Sequence, residues 1–373
     1  LCIPFLYLNH YIYNMKKLLL LLIIPLLSFG QWTFLPDDVF EETLINMGLD
    51  DVMDNYVLTA NIINVTDLDF SVNTNIIEDL TGLENFISLE YLVITNPPPN
   101  ISEINLTPFP NLKHLNIDGA DLTEIDLSEN TLLEYLSCSY AQLTNLNLSN
   151  NPNLSTLICN NNKIADLDLT ENVNLIQLTC HGQSNSLDPE IYGYDEWGGD
   201  PTGMTSLNIS ECSILESLSC EENQLTELTL PSSSELEVLI CYENSLTEIN
   251  NLANCPNIVV IQCWDNQLTT LNIATLYSLD SFHIHTNLLE CIQVWDGFDS
   301  SELSIPWGAF DCCLDLNYQD VFSEDCGYIV PGCVDIYACN YEPGSNEEDG
   351  SCFYPNEFYD CNNNCINDFS LIY

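Results

Sequence analysis

The feature that most constrains this chain is a repeat of 21 residues. Residues 122–142 read LTEIDLSENTLLEYLSCSYAQ, 143–163 read LTNLNLSNNPNLSTLICNNNK, and 225–245 read LTELTLPSSSELEVLICYENS. The same frame covers 101–121, 204–224, 246–267 with one extra residue, and 268–288, while 77–100 is a looser copy. A constant apolar pattern at such a period implies a solenoid, because each coil can bury its apolar side only against its neighbours.

The core of the repeat is L-x-x-L-x-C-x-x-N-x-L, as in Leu154, Leu157, Cys159, Asn162 and Ile164. Leu157 and Cys159 stand two apart and point the same way from a strand, so each coil contributes a short parallel strand with its apolar face inward. Asn162 and its equivalents Asn223, Asn244, Asn266 and Asn287 recur where the chain turns. An amide there satisfies backbone groups that the turn leaves unpaired. Segments starting at Leu89, Leu112, Leu133, Leu154, Leu175, Leu215, Leu236, Ile258 and Leu279 give nine coils, and a sheet on the order of 40 Å long at about 4.8 Å per strand. Over roughly residues 60–295 the pattern resembles the leucine-rich-repeat family. The resemblance implies an α/β-type repeat solenoid, a horseshoe with a parallel β-sheet on its concave face.

Solenoid ends expose the core and need caps. PDDVFEETLINMG at 36–48 offers Pro and Asp at a helix start, acids in the first turn, Phe40, Leu44 and Met47 on one face, and Gly48 as a stop. The organisation expected is an N-terminal cap over 31–60, repeats over 61–288, a C-terminal cap over 289–328 and a Cys-rich module over 329–373. That last segment, with GCVDIYACNYEPGSNEEDGSC at 332–352 and YDCNNNCIND at 359–368, resembles the short Cys-rich modules, related to thrombospondin type 3 calcium repeats, of secreted Bacteroidetes-type leucine-rich-repeat proteins. Members of that group commonly end in an export sorting domain. None follows here, so the sequence is expected to be truncated.

Residues 1–30 stand apart. Met15-Lys16-Lys17, the apolar run Leu18–Leu27 and Ser28-Phe29-Gly30 have the layout of a secretory signal peptide cleaved before Gln31. Residues 1–14 read as upstream translated sequence. The run is short and holds Pro25, which disfavours a permanent span, so no membrane insertion is expected after cleavage. Beyond it only Lys113 and Lys163 face 56 acids. With so little to neutralise phosphates, nucleic acid is excluded as a partner, and an anionic membrane surface is disfavoured equally. The hydrophobic fraction of 46% and the charged fraction of 16% are nonetheless those of a folding chain.

Fifteen of the 18 cysteines fall into two groups that differ in chemistry. Cys138, Cys159, Cys180, Cys220, Cys241 and Cys263 occupy one column of the repeat, where free thiols pack as small hydrophobes. Cys291, Cys312, Cys313, Cys326, Cys333, Cys339, Cys352, Cys361 and Cys365 lie in loop-rich segments of an exported chain, where disulfides stabilise. On the outward face, the residue after each core Cys runs through Glu221, Tyr242, Trp264 and His285. With adjacent strands about 5 Å apart, Tyr242, Trp264 and His285 form a strip flanked by Ile240, Gln262 and His283. Large rings on a concave sheet point to ligand binding; the alternative is that they only stack on one another. His283 and His285 alternate like a metal pair, yet spacing fixes no third ligand.

The repeat is interrupted between Gln183 and Met204 by a 19-residue insertion carrying Tyr194 and Trp197 among several acids. Such insertions map to one face, often the binding face; calcium, a sugar, or nothing are the options. In the Cys-rich segment Asn340, Asn346, Glu347, Asp349 and Asp360 are hard oxygen ligands suited to calcium. No catalytic motif is present, and no Arg to hold an oxyanion or phosphate. The function expected is an exported, non-catalytic module binding a protein or glycan outside the cell or at its surface. The alternatives are a structural spacer or stalk, and the binding part of a polysaccharide-degrading enzyme.

Overall fold

The computed structural model describes residues 31–71, 77–94, 103–183, 203–233 and 235–298, with 322–324, 326, 331–332, 338, 347–348 and 350–354. Ten three-residue strands pair in parallel in a single sheet. They are Asp67–Asp69, Tyr91–Val93, His114–Asn116, Tyr135–Ser137, Thr156–Ile158, Gln177–Thr179, Ser217–Ser219, Val238–Ile240, Val260–Gln262 and Ser281–His283. Nine belong to the coils anticipated from the repeat. The tenth, Asp67–Asp69, precedes them because Leu68 and Phe70 offer the same inward alternation and are buried.

Register is strict. Leu136, Leu157 and Leu178 are direct neighbours on adjacent strands, and each is 0% exposed. Slippage by one residue would turn this column to water, which fixes the pairing. The sheet passes from Gln177–Thr179 directly to Ser217–Ser219, so the insertion leaves the ladder unbroken. On the convex side the chain forms further short parallel pairs, such as Asp166–Asp168 with Ser206–Asn208 and Glu227–Thr229 with Glu248–Asn250. Among the described residues α-helix is confined to the N-terminal end, at Asp38–Asn46 and Thr59–Ile62.

Two amide ladders tie successive coils together. Asn162 Nδ2 donates to the carbonyls of Cys138 and Cys159 at 2.9 and 3.0 Å, and its Oδ1 accepts from the Ala141 and Leu143 amides at 3.1 and 2.9 Å. Asn223, Asn244, Asn266 and Asn287 make equivalent bonds, as the turn argument requires. Gln183 stands in for Asn at the coil before the insertion, reaching the Cys159 carbonyl at 2.7 Å. The second ladder was not anticipated. Asn130, Asn151 and Asn172, all 0% exposed, each donate to two carbonyls of the coil before, as Asn151 does to Leu127 and Asn130 at 3.2 and 2.9 Å. Cys212 continues that column and directs its Sγ at the Leu169 carbonyl, 3.6 Å away.

The helix Asp38–Asn46 covers the first coil. Asp37 caps it, Oδ1 accepting from the Val39 and Phe40 amides at 2.9 Å each. Its Oδ2 accepts from Glu78 and Asp79, so one carboxylate joins cap to repeat. Phe40 and Leu44 are fully buried as expected, but Met47 is 44% exposed. The helix stops at Asn46 and Gly48 turns at φ +74°, carrying Met47 off the buried face. Gly82, at φ +101°, lets the cap approach, since a Cβ there would sit 2.5 Å from Leu35 Cδ2. At the other end Cys291 and Cys326 form a disulfide with Cα atoms 5.8 Å apart, beside the pairing of Cys291–Gln293 with Phe322–Ser323.

Candidate functional site

Outward positions of the sheet form columns running across the strands, and the predicted strip lies in one of them. Tyr242 stacks on Trp264 with ring centroids 4.3 Å apart at 8°, and Trp264 stacks on His285 at 5.2 Å and 5°. Ile240, Gln262 and His283 are in register beside them, and His283 shares a hydrogen bond with Ser281 Oγ at 3.3 Å. The rings are half-buried, and each interior face of the stack is covered by its neighbour, as the stacking alternative expected. Glu221 lies on the outward face in the same column. It is only 8% exposed, and its carboxylate accepts from Ser219 Oγ at 2.6 Å.

Sequence reasoning missed a second aromatic stack. Tyr91, His114 and Tyr135 are register neighbours at the first position of their strands. Their rings lie 4.2 and 4.0 Å apart at 14° and 9°. The signal was available, since reading the strand's first column at the repeat spacing brings Tyr91, His114 and Tyr135 together. Between the stacks the outward positions are mostly polar, with Thr156, Asn160, Gln177, Thr179, His181, Ser217 and Ser219, and one apolar residue, Ile158.

Carboxylates border both stacks. Asp118 accepts from Ser137 Oγ and the Ser139 amide, both at 2.7 Å. Next to Tyr242 and Trp264, residues Glu222, Glu243 and Asp265 all adopt left-handed backbone, with φ of 55°, 50° and 53°. Burial, then the neighbouring Glu222 and Asp265, raise the Glu243 carboxyl above its usual range. Burial lowers His114, His283 and His285, so these rings are neutral near pH 7. Among the described residues no group of three or more His, Cys, Asp and Glu is arranged to hold a metal, and the His283 and His285 pair gains no third ligand.

The six cysteines of the repeat column are free and fully buried. Cys212 and Cys255, which the repeat consensus did not assign, are free and buried too. Burial pushes the thiols of Cys159 and Cys263 up to about 12 and that of Cys212 up to about 11, which makes them poor nucleophiles. Tyr194, Trp197, Asn340, Asn346, Asp349 and Asp360 lie outside the described residues. Glu347 falls in a two-residue strand, Glu347–Glu348, paired with Pro331–Gly332.

No protein-family model and no curated protein sequence matches the chain. Among solved structures it is similar to the functional domain of InlJ from Listeria monocytogenes, which includes a cysteine ladder, with 27% identity and a TM-score of 0.57 over 74% of this chain and 61% of that one. It is also similar to an internalin, InlF, from Listeria monocytogenes strain 4b F2365, at 17% identity and a TM-score of 0.46 over 73% of this chain and 95% of that one. The chain thus spans 61% of the length of the InlJ domain. Among the described residues no helix is long and apolar enough to cross a membrane. The architecture is the leucine-rich-repeat horseshoe, with a parallel sheet on its concave face and a ladder of free cysteines beneath it.

Proposed function

We propose that this chain is an exported, non-catalytic recognition module whose concave sheet binds a protein ligand through the Tyr242, Trp264 and His285 strip. The observation that carries this reading is the stack itself. Three rings aligned along the sheet axis present their edges to the groove, while their interior faces cover one another. Sugars pack on open ring faces, so the arrangement favours a polypeptide, whose carbonyls and side chains meet ring edges and the Tyr242 hydroxyl. Export is supported by the leader pattern at Met15–Gly30, and a calcium role for the Cys-rich segment rests on its oxygen ligands. Affinity capture from secreted and cell-surface fractions, run with the intact chain and with Trp264→Ala beside a glycan array, tests the proposal. A protein retained by the first and lost by the second supports it; a glycan bound equally by both overturns it.

A further inference from the structure

We infer that the concave face takes an extended, basic polypeptide segment that crosses it diagonally and engages both aromatic stacks at once. This rests on the proposed function and adds a second contact, the Tyr91, His114 and Tyr135 stack, together with the chemistry of the partner.

The first argument is placement. The two stacks lie at opposite ends of the sheet and in different columns, one at the first position of its strands and the other four residues further along. From the strand of Tyr135 to that of Val238 the sheet advances four strands, or about 19 Å at about 4.8 Å each. Four residues along a strand add about 13 Å across. The nearest rings of the two stacks are therefore about 23 Å apart on the diagonal, a gap that about seven extended residues span. On the register of the strands that path passes Ile158, Thr179 and Ser219, with Thr156, Gln177 and His181 beside it. Thr179, Ser219, Thr156 and Gln177 offer a backbone lying on the sheet hydrogen-bond partners.

The second argument is charge. Asp118 acts on the Tyr135 hydroxyl and Asp69 on His114 at one stack, while Glu222, Glu243 and Asp265 flank the other. Among the described residues the single salt bridge is Lys113 Nζ to Glu90, at 2.7 Å, and it leaves these carboxylates without a cation. The charged groups named at the two stacks, Asp69, Asp118, Glu222, Glu243 and Asp265, are all of one sign. A segment bearing Lys or Arg at both ends neutralises them; an acidic or phosphorylated segment is repelled.

Selection of a displayed random dodecapeptide library on the full chain, at about 150 mM salt, tests the inference. The most enriched peptide is then titrated against the unaltered chain, Tyr135→Ala and Trp264→Ala, with Tyr135→Phe as the ring-retaining control and circular dichroism to confirm folding. The expected result is a basic enriched pool, with each Ala variant weakening binding about fivefold or more and Tyr135→Phe close to unaltered. Loss with Trp264→Ala alone overturns the two-stack inference and leaves the single-strip reading standing. Loss with neither variant overturns both. An acidic, neutral or unenriched pool overturns the assignment of a basic partner.

Discussion

Asn162 reaches back one coil to hold the Cys138 carbonyl at 2.9 Å while its own coil supplies the Cys159 carbonyl at 3.0 Å. The side chain is 0% exposed, and its Oδ1 accepts from the Ala141 and Leu143 amides as well. One amide thus satisfies four backbone groups that water does not reach. Removing it leaves them unpaired, each at a cost of about 1–3 kcal/mol before relaxation. Asn162→Ala is expected to destabilise the chain by about 3 kcal/mol or more in urea unfolding. The exposed Asn174, whose Nδ2 meets the Pro152 carbonyl at 2.9 Å, is the control, and Asn174→Ala should cost under about 1 kcal/mol. Equal losses at the two sites would contradict the ladder's role.

Asp37 is the corresponding single point of failure at the N-terminal end. Its two oxygens accept from four amides, two in the helix and two in the segment at Glu78 and Asp79. Asp37→Ala removes the helix cap, typically about 1 kcal/mol, and strands the amides of the adjoining segment as well. A loss of about 2–4 kcal/mol in thermal or urea unfolding is expected. Asp37→Asn retains an acceptor and should recover part of it.

The buried thiols set the alkaline limit of stability. Each is neutral in the fold and its pKa is raised by burial, to about 12 at Cys159 and Cys263. A raised folded value means the contribution is complete below the unfolded value near 8.5 and is lost as pH climbs toward the folded one. Melting temperature should therefore be flat between about pH 7 and 8 and fall above about pH 9, less steeply in Cys159→Val than in the unaltered chain. Eight described cysteines are free and buried, and native protein should leave them unalkylated by iodoacetamide until urea is added. Rapid labelling of the native form would contradict the burial.

Much of this architecture was legible because a solenoid states its rules once per coil. The inward Leu and Cys columns and the turn Asn are dictated by backbone geometry at each repeat, and the sheet in register with Leu157 follows from them. What escaped notice did so for physical reasons. Asn130, Asn151 and Asn172 sit in the turn that leads into each strand of the main sheet, where Cys212 and Cys255 take the same place, so no single residue type marks the column. The Tyr91, His114 and Tyr135 stack lies on the strand's first position, outside the column that follows the core Cys. Met47 was misplaced, and the Ser219 partner of Glu221 was not foreseen, because pattern gives a side chain's direction without its partners, and only packing shows the hydrogen bond at one and the turn at Gly48 that removes the other from the buried face.

Stacking also changes what is expected of Trp264. Its ring touches Tyr242 on one face and His285 on the other, and aromatic pairs contribute about 0.5–1.5 kcal/mol each beyond area burial. Trp264→Ala should lower stability by about 1–3 kcal/mol, so its effect on ligand binding has to be read at a temperature where the variant remains folded. Trp264→Phe keeps a ring in the stack and should restore most of that stability. If Trp264→Ala melts with the unaltered chain, the stack contributes nothing to the fold.

The carboxylate column makes the last case, because it opposes folding. Glu243 is raised first by burial and then by Glu222 and Asp265, so its ionised form is less favourable in the fold than in the unfolded chain. The sign follows: a raised folded value means that stability is complete below the unfolded value near 4.3 and is lost as pH rises through the folded one. At neutral pH the folded chain carries that loss, so Glu243→Gln should be more stable than the unaltered protein at pH 7 and indistinguishable from it near pH 4. Salt should act in the same direction, since raising ionic strength to about 1 M shortens the screening length to about 3 Å and quiets the repulsion. A chain that keeps three like charges together at the expense of stability resembles a surface retained for binding. The decisive comparison is between stability and affinity: Glu243→Gln should gain the first and, if a basic segment is the partner, lose the second. Destabilisation by Glu243→Gln at pH 7 would show instead that the carboxylate makes a favourable contact in the fold.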